Sequence, residues 1–245
     1  CVMLRLFYFL LLMPGFSIMM MPPAHAQLRL NGAWVRIPHD PSSIKCLTLF
    51  GDRVFMQTQV DTITHHIVFA GGGTYTLHGD TLDGAFLYQM GDKTIQPSHF
   101  QLVLNGNPDE LSYTASDGET QRWKRLDDGQ GTYAGTWRIV QHMQNGQLRD
   151  IPQSGDRKTL KLLTASHFQW AAFNTATGQL YATGGGTYSL NNGQYIEHIE
   201  FFSRDSTRVG MSLPFEDEIK GDQWYHKGKT TKGDPNFEVW KRVAE

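Results

Sequence analysis

The chain has 245 residues, with 22 lysines and arginines against 24 aspartates and glutamates and a formal net charge of −2. The charges are scattered, with no Lys/Arg block. That excludes the concentrated basic face needed for nucleic acid, and equally the cationic patch needed for an anionic membrane surface.

Residues 1–26 read as an export signal. One cation, Arg5, precedes a run of Leu, Phe and Met, and Ala24, His25 and Ala26 supply the small-x-small pattern of a cleavage site. Pro14, Pro22 and Pro23 break the apolar stretch, so it is short for a span. The expectation is cleavage after Ala26, a periplasmic or extracellular protein, and no membrane association afterwards. Cys46 then stands alone in the mature chain, no internal disulfide can form, and stability must come from burial within about 220 residues.

The rest of the chain is one unit written twice. LNGAWVRI at 30–37 answers to YAGTWRIV at 133–140, GGGTYTL at 71–77 to GGGTYSL at 184–190, and WKRL at 123–126 to WKRV at 240–243. Three landmarks in one order define units over 27–129 and 130–245, and a period this long indicates a duplicated domain, since solenoid repeats are much shorter. In the second unit, short β-branched and aromatic segments predict strands at 135–141, 158–164, 167–173, 179–190 with a kink, 194–202, 211–219, 223–228 and 236–243. Turns fall at 174–178, 191–193 and 220–222. Eight strands in this length suit a small antiparallel up-and-down β-barrel, so the fold class is all-β with two tandem barrels; an open sandwich of the same strands is the alternative.

The landmark residues carry a resemblance. Gly135 and Trp137 at the first strand, with Trp240 and Arg242 at the last, resemble the lipocalin (calycin-type) pattern, in which an N-terminal Gly-x-Trp packs under a C-terminal arginine. HFQW at 167–170, GGGTY at 184–188, WYH at 224–226 and EVWKR at 238–242 are similar to secreted bacterial lipocalin-like domains of uncharacterised role. The resemblance implies a barrel with a mouth at one end and no particular chemistry. In the first unit Ala33 replaces the Thr, Gln57 stands in place of Trp170, and Ser112 and Tyr113 in place of Tyr225 and His226. Independently of any family, an indole closing a barrel end under a guanidinium adds about 0.5 to 2 kcal/mol. Trp34 with Arg125 and Trp137 with Arg242 are therefore read as structural.

Alternation along strands, compared between the two copies, directs Trp170, Tyr188, Tyr195, Glu197, Phe201, Trp224 and His226 into the second barrel. This aromatic box with one carboxylate and one imidazole suits a small apolar or amphipathic ligand. Two other readings stand beside it: an isomerase- or hydrolase-type enzyme using Glu197 and His226 as acid and base, and a filled, structural barrel in which these two bond each other. The first unit lacks both groups and reads as a packing or accessory copy. GGGTY has neither the following Lys-Ser/Thr nor the helix of a phosphate loop, and reads as a strand kink or bulge. No metal or other cofactor is expected: His198 with Glu200, and His65 with His66, supply only pairs of ligands, and a haem on His226 or His167 is a remote option. Oligomeric state is not legible in the sequence.

Overall fold

The computed structural model describes residues 28–91, 98–191 and 193–244. Residues 1–26, read above as an export signal, lie outside the described residues. The first sheet comprises β1 (Gly32–Ile37), β2 (Ile44–Phe50), β3 (Val54–Asp61), β4 (Ile67–His78), β5 (Thr81–Gln89), β6 (Ser98–Val103), β7 (Asn105–Gly106), β8 (Glu110–Thr114) and β9 (Thr120–Arg125). The second comprises β10 (Gly135–Gln144), β11 (Gln147–Asp150), β12 (Arg157–Leu163), β13 (His167–Asn174), β14 (Leu180–Asn191), β15 (Gln194–Phe202), β16 (Ser212–Lys220), β17 (Gln223–Lys229) and β18 (Pro235–Arg242).

Both sheets are antiparallel up-and-down barrels. In the second, β10 pairs with β12 on one side and β18 on the other, which closes the ring. In the first, β1 joins β2 to β9, and β6 and β7 are two halves of one path, separated only by Leu104. The first half bonds β5 and the second bonds β8, just as β16 bonds β15 and then β17. Closure in this manner leaves no long unpaired edge. One element departs from the expected strands: β10 runs past 141 and folds back as β11, through a turn in which Asn145 (φ 51°) and Gly146 (φ 74°) adopt the left-handed conformations of a tight hairpin.

The glycine motif faces a bulge in each barrel: the register shifts between Gly72 and Gly73 and between Gly185 and Gly186, where Leu87 and Glu200 are the extra residues on β5 and β15. A Cβ on Gly186 would sit 2.0 Å from the His198 carbonyl oxygen, and one on Gly73 would sit 1.8 Å from that of Ala85, so only glycine lets the neighbouring strand approach. The following tyrosines turn inward and tie down a turn of their own barrel, between β2 and β3 in the first and between β12 and β13 in the second. Tyr75 donates to the Gly51 carbonyl and Tyr188 to that of Thr164.

A third apolar cluster lies between the barrels. Leu47, Leu49, Met56 and Val60 of the first pack against Leu162, Ala171, Phe173 and Phe201 of the second. Tyr88 stacks on Phe173 at 4.2 Å between centroids, and Lys45 Nζ meets Glu200 Oε2 at 2.8 Å. Asp127, in the linker, clasps both sides. It accepts from the Ala33 and Gly129 amides, from the Thr164 and Ser166 hydroxyls at 2.8 and 2.7 Å, and from the Ala165 and Ser166 amides, with His167 Nδ1 at 3.2 Å.

Candidate functional site

The second barrel encloses a cavity of ≈ 660 Å³, walled by Ile139, Trp170, Ile199, Phe202, Phe215 and Trp240 and floored by Lys161, Glu197 and His226. Trp170 on β13, Glu197 on β15 and His226 on β17 thus meet there, as their strand parity requires. Tyr188, Tyr195 and Trp224 point into the same barrel but do not line the cavity. They pack with Tyr133 and Trp137 as its closed end, Tyr188 stacked on Tyr195 at 5.0 Å and Trp224 edge-on to Trp137 at 5.5 Å.

The inward placement of Phe201 is corrected. The bulge opposite Gly186 leaves Glu200 as an extra residue on β15 and inverts the alternation beyond it. Phe201 therefore faces the other barrel, while Phe202 enters the cavity and packs against Trp170 at 5.9 Å between centroids.

Two charged groups that the sequence comparison did not single out join this set: Lys161 at the floor and Asp217 behind His226. Lys161 is 3% exposed, pairs directly with Glu197 Oε1, and lies 4.8 Å from the Trp224 ring and 5.5 Å from that of Trp240. Burying an ammonium is tolerable only with such a partner and such ring faces. Tyr195 also donates to Glu197 Oε1, at 3.3 Å. On the other side His226, stacked on Phe215 at 3.8 Å, turns Nδ1 to Asp217 Oδ1 at 2.8 Å and Nε2 towards Glu197 Oε1 at 3.9 Å. Trp224 Nε1 donates to the second Asp217 oxygen at 2.9 Å. The result is a chain in which Lys161, Glu197 and His226 cross the cavity floor and Asp217 backs the imidazole from behind.

The environment sets the protons. Burial pushes the Asp217 carboxyl up to about 7, against the pull of the Trp224 N–H and Lys161. Burial, with Lys161 adding to it, holds His226 down to about 3, although Glu197 and Glu238 act the other way. The imidazole is thus neutral throughout the ordinary range, and the proton that titrates near neutrality belongs to the hydrogen-bonded Asp217 and His226 together. Below pH 7 a protonated Asp217 donates to Nδ1, so the ring hydrogen sits on Nε2. Above it the carboxylate accepts from Nδ1–H, and Nε2 becomes a bare acceptor at the cavity. Nitrogen-15 NMR of His226 is expected to move from the Nε2–H to the Nδ1–H tautomer across pH 7; a protonated, doubly N–H ring at pH 6 would overturn this.

Around the mouth stand Arg157, Arg204, Lys229 and Lys232, with Arg208 held by Asp205 at 2.9 Å. At the closed end the Arg242 guanidinium lies 4.1 Å over Trp137, and that of Arg125 lies 4.4 Å over Trp34. Each arginine also donates to carbonyls of the segment leading into its barrel, Arg242 to Ala134 and Arg125 to Asn31, both at 2.6 Å. His198 faces outward to Ser189 and Ser212, and Glu200 is taken by Lys45. Among the described residues no three His, Cys, Asp or Glu side chains are grouped to hold a metal ion. No family model and no curated protein sequence matches the chain.

Proposed function

We propose that this is an exported, lipocalin-like protein that holds a small apolar or amphipathic molecule in its second barrel. The observation that carries the reading is a cavity of ≈ 660 Å³ with an aromatic wall and an ionised floor. Sites for small molecules span about 300 to 1,000 Å³ and combine this kind of apolar area with a few convergent polar groups. The cationic mouth favours a ligand whose polar end carries negative charge. Export rests on residues 1–26, and the lipocalin-like character on two barrels each closed by a Trp under an Arg. Neither nucleic acid nor membrane is a partner in this reading.

Native mass spectrometry after gentle purification is expected to find a co-purifying molecule, and a hydrophobic fluorescent probe should bind and be displaced by amphipathic candidates. Trp170→Ala, which strips a half-buried ring from the wall, should weaken the probe about tenfold with little loss of stability. A protein that carries nothing and takes up no displaceable probe would end the proposal.

Acid/base chemistry is a second reading, favoured by one observation, the Asp217-oriented His226 whose Nε2 reaches the cavity floor. Glu197 contributes less to it than its sequence position suggests, because Lys161 already holds its carboxylate.

A further inference from the structure

We infer that the molecule held in the second barrel is an aromatic hydroxy acid, its hydroxyl on the floor at Glu197 and its carboxylate at the mouth among Arg204, Lys229 and Lys232. The inference rests on the reading of that barrel as a ligand site, and adds the chemical class of the ligand and the direction in which it lies.

The floor offers an open acceptor. Glu197 Oε1 is taken by Lys161 and by the Tyr195 hydroxyl. Glu197 Oε2 has no hydrogen-bond partner among the described residues, yet it is not sealed from water as the unpartnered side-chain atoms of Thr58, Tyr88, Trp123 and Gln169 are. The 7% of the Glu197 side chain that stays exposed looks into the cavity, which this residue lines. A free carboxylate oxygen calls for a donor. An ammonium is the wrong donor here, because Lys161 already brings its charge to Glu197 and lies over the rings of Trp224 and Trp240. A hydroxyl donates to Oε2 without adding charge, and its lone pairs accept from His226 Nε2 whenever that nitrogen carries the ring hydrogen.

The mouth has the opposite requirement. Arg208 is held by Asp205, and Arg157 lies over Tyr181 at 5.2 Å. Arg204, Lys229 and Lys232 have no ion-pair partner among the described residues, although the chain as a whole carries a net charge of −2. Of the other acids at this rim, Glu238 is engaged by the Trp240 N–H at 3.0 Å, which leaves Asp234 among the three cations. A ligand carboxylate at the rim therefore meets positive charge, whereas on the floor it would face Glu197, with Asp217 behind His226. Between the two ends, the four residues from Lys161 to Arg157 on β12 set a distance of about 13 Å. The walls along it are the rings of Trp170, Phe202, Phe215 and Trp240. Two fused aromatic rings with a polar group at each end span that distance and pack on those faces.

The test titrates the full chain at about pH 7.5, where a phenolic hydroxyl is neutral. Three fluorescent probes share one skeleton: 6-hydroxy-2-naphthoate, 2-naphthoate without the hydroxyl, and 2-naphthol without the carboxylate. The hydroxy acid is expected to bind about tenfold tighter than naphthoate, through a hydrogen bond to a charged acceptor. It should also bind several-fold tighter than naphthol, a smaller margin because the rim cations are exposed. Arg204→Gln with Lys229→Gln should bring the hydroxy acid and naphthol to within about twofold and keep the preference over naphthoate. Lys161→Met with Glu197→Leu should do the reverse, erasing the preference over naphthoate and keeping that over naphthol. Should this second pair not fold, the ranking in the parent and the mouth variant decide. A hydroxy acid no tighter than naphthoate, or a mouth variant that ranks the probes as the parent does, overturns the inference. If the hydrophobic fluorescent probe binds and none of the three naphthalenes does, the inference falls alone; if nothing binds, the reading of the barrel as a ligand site falls with it.

Discussion

Replacing Lys161 with methionine is expected to destabilise the protein by about 4 kcal/mol, although methionine fills nearly the same space. The substitution keeps the packing against Trp224 and Trp240 and removes the charge that Glu197 meets inside the barrel. Glu197 is buried, and its remaining partners are the Tyr195 hydroxyl and a neutral His226, neither of which replaces an ammonium. Loss of Lys161 also removes the attraction that favours ionised Asp217, so that carboxyl titrates higher still. A second substitution, Glu197→Leu on the Lys161→Met background, should return stability to within about 1 kcal/mol of the parent, because a buried pair replaced as a whole costs little. Urea denaturation with an unchanged slope measures both steps. If Lys161→Met alone is nearly neutral, the two groups do not face each other in the barrel. If the double variant is stable but has lost the fluorescent probe, the pair serves the ligand and not the fold.

Asp127→Asn is expected to cost about 3 kcal/mol. The carboxylate gathers amides and hydroxyls from both barrels and from the linker, and an amide NH₂ in place of Oδ2 would face the Thr164 and Ser166 donors with a donor of its own. The effect has a pH signature. Burial alone would raise this carboxyl, but the hydrogen bonds from His167, Ser166, Thr164 and Gly129 outweigh it and hold the pKa well below its ordinary 3.8. A depressed acid contributes its stability fully above the unfolded value and loses it as pH falls through the folded one. The stability difference between parent and Asp127→Asn should therefore be constant above about pH 5 and shrink steadily in stronger acid. A difference that stays constant into strong acid would mean that Asp127 is not held as an anion.

The strands of the second barrel were legible because alternation and turn residues agree, and because each glycine-rich landmark appears twice. The hairpin of β10 and β11 escaped, although Asn145 and Gly146 form a standard hairpin turn; polar residues on both sides hid its pairing. Phe201 shows a subtler limit. The glycine motif was readable as the mark of a bulge, but the extra residue, Glu200, lies on the partner strand β15, and parity counted straight through it comes out inverted. Lys161 was passed over for a different reason. Comparing copies rewards positions that stay apolar, and Lys161 answers to the polar Thr48 in the first copy, so the comparison did not mark it. Its flanking Leu160 and Leu162 carried the missing signal, since they serve the cluster between the barrels and leave lysine no outer face to occupy. Asp217 lies among exposed acids on β16, and its burial follows only from the barrel closing over His226.

The cluster shared by the two barrels also bears on how the molecule comes apart. Tyr88 on Phe173, the main-chain bond from Gln89 to the Gly178 carbonyl, and the ring of donors around Asp127 all break together if either barrel opens. Either half alone would present Leu47, Leu49 and Met56, or Leu162, Ala171 and Phe173, to water. Calorimetry should accordingly record a single melting transition, and the smallest autonomous piece of this chain is the pair.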